Sequence, residues 1–135
     1  MANLQLIIVI GLPGSGKTTL CNQLSNNGYK IFDDFITHFY DGNLTESVSI
    51  GTKICISDPR LCIFSIFDKY MSRIFVPKDK ILIYLFVNDP TKCLSNVAKR
   101  NDKYKNFAQT IINYSKHYCL DNYKNYNCQI LEINN

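Results

Sequence analysis

Residues 11–18 read Gly11-Leu12-Pro13-Gly14-Ser15-Gly16-Lys17-Thr18, and the fold is decided there. The spacing is G-x-x-x-x-G-K-[ST], the Walker A pattern. Its glycines let successive backbone N–H groups turn inward around an anion, and the helix that follows adds the positive end of its dipole. Lys17 is placed to reach the β and γ phosphates of ATP. The Thr18 hydroxyl is placed to ligate Mg²⁺, with waters and nucleotide oxygens completing the shell. The expected nucleotide-binding set is therefore Gly11, Leu12, Pro13, Gly14, Ser15, Gly16, Lys17, Thr18 and Thr19.

The surroundings fit that pattern. A run over residues 4–10, apolar except for Gln5, leads directly into the loop and reads as a strand buried on both faces. Leu20, Cys21 and Leu24 then mark a one-sided helix that stops near Gly28. Working outward, strands are expected over residues 29–32, 53–57, 81–87 and 129–133. Residues 34–51 read as one short helix and a loop around Asp41-Gly42-Asn43. Asp58-Pro59 opens a helix expected to run to about residue 75, and Asp89-Pro90 opens the next, with Asp as cap and Pro in the first turn. Phe107, Ile111, Ile112, Ser115 and Tyr118 or Cys119 define a further helix. Five short strands separated by helices indicate a three-layer α/β fold with a mostly parallel sheet.

The chain has 135 residues, 46% hydrophobic and 19% charged, the composition of a single globular domain. The first apolar run is too short for a membrane span and has neither a basic leader nor a small-residue cleavage pattern. The expected location is cytoplasmic. The six cysteines are widely spaced and form no C-x-x-C pair, and His38 and His117 lie near no cysteine cluster, so neither zinc nor a disulfide framework is expected. Residues 1–68 carry four Lys/Arg against six Asp/Glu, whereas residues 69–135 carry eleven against five. In the basic half Lys92, Lys99, Arg100, Lys103 and Lys105 face one acid, Asp102, a local patch suited to phosphates.

Phosphoryl transfer also needs carboxylates, one supporting Mg²⁺ and one orienting the attacking hydroxyl. Asp58 follows the apolar run Ile54-Cys55-Ile56 at the end of the third strand, where an α/β sheet binds its ligands, and is the expected metal residue beside Thr18. Asp33 and Asp34 end the second strand. Adjacent acids do not both face one point, so Asp33 is preferred as the base and Asp34 is kept beside it.

Taken together, the chain resembles the small P-loop kinases, with the kinase domain of polynucleotide kinases as the nearest flavour. GLPGSGKTTL resembles that group's phosphate loop, IFDDF its acidic pair, ISDPRL its Walker B strand and turn, and VNDPTKCLSNVAKRN its strand, helix and lid entrance. The resemblance implies a lid over about residues 99–106 and a charge-neutralising role for Arg100. Two positions depart from it: Tyr104 stands where a second lid arginine is usual, and Ile36 where a basic residue follows the acidic pair. The catalytic set expected is Lys17, Asp33, Asp34 and Arg100, and the activity an ATP-dependent kinase acting on a hydroxyl. The acceptor stays open among a polynucleotide 5′-hydroxyl, a nucleoside and a small metabolite. A nucleotide-binding NTPase without an acceptor and a basic nucleic-acid-binding domain are the contrasting readings.

Overall fold

The computed structural model describes residues 4–39, 43–100 and 107–134. Its centre is strand β1, Leu6–Ile10, whose five apolar side chains are all buried. A strand of that kind has no face to give to water and must be covered on both faces. It pairs with β3, Ile54–Ser57, and with β4, Ile81–Phe86. The edges are β2, Lys30–Asp33, beside β3, and β5, Cys128–Leu131, beside β4; all four pairings are parallel. The order is β2-β3-β1-β4-β5. Both edge strands are shorter than β4 and more exposed than the three central ones.

From β1 the chain steps over β3 to reach β2, and from β3 it steps back over β1 to reach β4. Helix α1, Lys17–Asn26, packs against β1, β2 and β3. The other helices are α2, Asn43–Ser49, α3, Phe64–Met71, α4, Pro90–Ala98, and α5, Phe107–Ser115, the last two packed on each other. The strand order therefore reverses between β1 and β3, and the crevice beyond their carboxyl ends is where such sheets bind ligands. The loop after β1 and Asp58 after β3 both lie there.

Residues 59–75 depart from the single expected helix. Asp58 caps the Arg60 N–H and Pro59 starts the turn, but the turn is a tight 3-10 one, Pro59–Cys62. Ile63 is extended (φ −93°, ψ 110°) before α3 begins. Leu61 and Cys62 are driven into the core at this break, and a continuous helix would rotate one of them outward. Helix α3 ends at Met71, where the Ser72 hydroxyl donates to the Lys69 carbonyl, and Phe75 is left 85% exposed. The last helix stops at Ser115. Tyr118, beyond it, is buried with its hydroxyl donating to the Ile10 and Phe86 carbonyls.

Tyr123 is the largest fully buried side chain, set edge-on against Phe64 and Phe67, with its hydroxyl bound to the Leu61 carbonyl. That bond ties the segment before β5 to the 3-10 turn. All six cysteines are free; Cys21, Cys55, Cys62 and Cys93 are buried, whereas Cys119 and Cys128 are exposed. Among the described residues no helix is long and apolar enough to cross a membrane.

Candidate active site

The phosphate loop closes on itself through the Ser15 N–H, which donates to the Leu12 carbonyl at 3.1 Å. Gly14 has φ +87° and Gly16 φ +111°, conformations that L side chains rarely adopt. Gly14 is required twice over, since a Cβ there would stand 2.6 Å from the Cys93 carbonyl oxygen and 2.9 Å from a Val97 methyl. The loop tip thus packs directly on α4. Gly16 occupies the cap position of α1 without a side-chain cap, so the amides of the first turn stay available to an anion.

Lys17 folds across this loop, and its Nζ donates to the Leu12 carbonyl at 2.8 Å. Burial lowers its pKa from the ordinary 10.5, and the nearby Asp33 carboxylate partly opposes that effect. Burial also pushes Cys62 up to about 12 and Cys93 up to about 11. The ammonium therefore lies among thiols that stay neutral at physiological pH.

A cleft of about 270 Å³ opens in front of the loop. Lys17, Thr18 and Thr19 line it from the loop side, Asp33 and Asp34 from the end of β2, and Arg100 and Phe107 from the far side. The carboxylates and cations expected from distant parts of the sequence are thus brought to one place. Asp34 has φ +50°, a left-handed conformation that Asp tolerates better than most residues. Its N–H donates to Asp33 Oδ1 at 3.0 Å. The expected lid lies partly outside the described residues: Asp102, Lys103, Tyr104 and Lys105 are not among them, whereas Lys99 and Arg100 are.

Asp58 stands differently from the other carboxylates. It is fully buried, and both its oxygens are engaged. Oδ1 accepts from the Arg60 backbone N–H and Nε, and Oδ2 accepts from Arg60 Nη2 and the Ile36 N–H. This geometry gives Asp58 four hydrogen bonds within the chain. It makes Asp58 the anchor of Arg60, whose Nη2 also donates to the Thr37 hydroxyl at 2.8 Å. Those hydrogen bonds keep Arg60 firmly charged, and Asp34 adds to the effect. Sequence reasoning passed over Arg60; the only signal was its position two residues beyond a strand-end aspartate.

A second groove, of about 640 Å³, lies on the other side of the loop. Ser15, Gly16, Thr19 and Gln23 form one wall, and Phe86, Leu131, Glu132 and Asn134 the other. Gly16 and Thr19 border both spaces. The Ser15 hydroxyl is buried with no hydrogen-bond partner among the described residues. The hydroxyl of Thr18 and the carboxylates of Asp33 and Asp34 are hard oxygen donors suited to Mg²⁺. Among the described residues no three His, Cys, Asp or Glu side chains converge on one metal position.

A glycine-rich loop between the first of five parallel strands and α1, with acids across the cleft, defines a P-loop kinase-like fold. The structure of deoxyadenosine kinase from M. mycoides with bound dATP is similar over 94% of this chain and 90% of that one. Its TM-score is 0.51 and its sequence identity 16%. No protein-family model matches the sequence. The chain belongs to the family of uncharacterized protein R277 of Acanthamoeba polyphaga mimivirus, to which it is 42% identical over 134 residues, 96% of each.

Proposed function

We propose that this protein is an ATP-dependent phosphotransferase that moves the γ-phosphoryl group to a hydroxyl of a nucleoside-type acceptor. The observation that carries the reading is the 270 Å³ cleft that joins Lys17 and Thr18 to Asp33, Asp34 and Arg100. The similar deoxyadenosine kinase with bound dATP supports a nucleoside over a small metabolite. The 640 Å³ groove behind the loop suits the base and sugar of the donor. The unpartnered Ser15 hydroxyl fits a loop made to receive further oxygens.

In this reading the loop amides and Lys17 bind the phosphate chain. Thr18, with Asp33 or Asp34, would hold Mg²⁺, which supplies charge neutralisation between the phosphates when bound. Asp33 has one oxygen occupied by the Asp34 N–H and offers the other to the acceptor hydroxyl, taking its proton as attack proceeds. Arg100, which lines the cleft, balances charge developing on the transferred group. Catalysis is then chiefly positioning and electrostatics.

The test is transfer of labelled phosphate from ATP in three parallel reactions: with deoxynucleosides, with 5′-hydroxyl oligonucleotides, and with no acceptor. Labelled nucleoside monophosphate is the expected product. Labelled oligonucleotide alone would make the protein a polynucleotide kinase. Release of inorganic phosphate at one rate in all three would make it an NTPase without an acceptor.

A further inference from the structure

Asn96, in the last turn of α4, directs its side-chain amide to two backbone carbonyls far away in sequence. Nδ2 donates to the Gly14 carbonyl at 2.9 Å and to the Asn134 carbonyl at 2.8 Å. Both amide hydrogens are thereby used. Gly14 is the tip of the phosphate loop and lines the front cleft, while Asn134 lines the groove behind it. One side chain thus joins the loop to the segment after β5.

Three features set this contact apart from an incidental surface bond. The bonds reach 82 and 38 residues along the chain, so they do not serve the local stability of α4. The loop tip is already pressed on the same helix, since no Cβ fits at Gly14 against Cys93 and Val97, and a small shift of the tip is therefore transmitted to α4. The two carbonyls also belong to the walls of the two spaces that meet at Gly16 and Thr19.

We infer that Asn96 is a positioning residue for the nucleotide: it holds the phosphate loop and the post-β5 wall of the rear groove at a fixed separation. A ligand that occupies both then finds them pre-organised, whereas a ligand that touches only the loop gains less. This rests on the proposal that the loop and the rear groove bind one nucleotide.

Asn88 supplies a matched control. Its Nδ2 also bridges two carbonyls, Ser115 and Tyr118, each at 2.9 Å, and neither belongs to the phosphate loop. Wild type, Asn96→Ala, Asn96→Gln and Asn88→Ala are compared by calorimetric binding of ATP and of inorganic tripolyphosphate, with thermal melting of each sample. Asn96→Gln keeps the amide but moves it by one methylene, and serves if the alanine variant does not fold. The expected result is an ATP affinity about tenfold weaker for Asn96→Ala, a tripolyphosphate affinity within about threefold of wild type, and unchanged affinities for Asn88→Ala. Equal losses for both ligands, or an ATP affinity unaltered by the Asn96 substitutions, would overturn the inference while leaving the nucleotide site standing. Failure of wild type to bind either ligand would remove the nucleotide reading itself, and the inference with it.

Discussion

The carboxylate of Asp58 grips the guanidinium of Arg60 at two points, Oδ1 to Nε at 2.9 Å and Oδ2 to Nη2 at 2.7 Å. The carboxylate is fully buried, whereas the arginine side chain keeps 35% of its surface. The pair also receives the Ile36 N–H, and so holds the turn after β2 against the turn after β3. Asp58→Ala removes the acceptor from three donors besides the cap, two of them on Arg60. Breaking a buried pair costs about 3–5 kcal/mol, and the exposure of Arg60 lowers this to about 2–3 kcal/mol. Urea denaturation reads that loss directly, and a change below about 1 kcal/mol would show that the pair is not structural.

The acidic pair at the end of β2 is separable by substitution. Asp34→Gly relieves the +50° backbone angle and is expected to leave stability unchanged or raised by up to about 1 kcal/mol. Asp33→Asn is expected to leave ATP affinity within about threefold and to lower transfer to the acceptor by about 10²-fold or more, the usual range for a missing general base. Steady-state transfer rates alongside calorimetric ATP affinity distinguish the two residues. A large loss with Asp34→Gly and none with Asp33→Asn would assign the base to Asp34.

The depressed pKa of Lys17 has a sign that can be followed. A bound phosphate favours the ammonium, so ATP affinity is expected to fall as pH rises through the lysine's own pKa, which lies below 10.5. The fall therefore begins at lower pH than an ordinary exposed lysine would give. Lys17→Arg, whose guanidinium stays charged, is expected to flatten the profile. Calorimetric titrations between about pH 7 and pH 10 check this. For folding the sign is opposite: the native state binds this proton less tightly than the unfolded chain, so the group's contribution to stability grows as pH rises toward 10.5.

Gly14→Ala puts a methyl group into the Cys93 carbonyl and a non-glycine residue at φ +87°. The two effects together are expected to cost roughly 2–4 kcal/mol and to push the loop tip off α4. Thermal melting checks the first effect and ATP affinity the second. Gly28→Ala, also at positive φ but with nothing within 4 Å of the added carbon, is expected to cost only about 1–2 kcal/mol and to leave ATP affinity unchanged.

Some of this was legible in the residues themselves. The apolar runs over 4–10 and 81–87 locate β1 and β4 to within two residues, because a strand buried on both faces has no polar position to blur its pattern. The loop from Gly11 to Thr18 announces its conformation through glycines that no other residue replaces. The break at Ile63 was not legible, since the largely apolar stretch from Pro59 to Phe75 reads as one helix opened by Asp58-Pro59. Whether Leu61 and Cys62 sit in a helix or a tight turn depends on what they pack against. Arg60 and Asn96 were passed over for a related reason, as neither belongs to a pattern with a local period.

Sequence alone determined the strand–loop–helix unit at the start, the alternation of strands and helices, and the candidate acids at strand ends. All of these follow from interactions between residues close in the chain. Tertiary structure decided which carboxylates face the cleft. Asp33 and Asp34 line it, while Asp58, equally a strand-end acid, is turned inward by Arg60 and the Ile36 N–H. It also decided that Asn96 meets Gly14 and Asn134. Hydrogen bonds between groups tens of residues apart exist only once the sheet order has brought their elements together, and no local spacing encodes them.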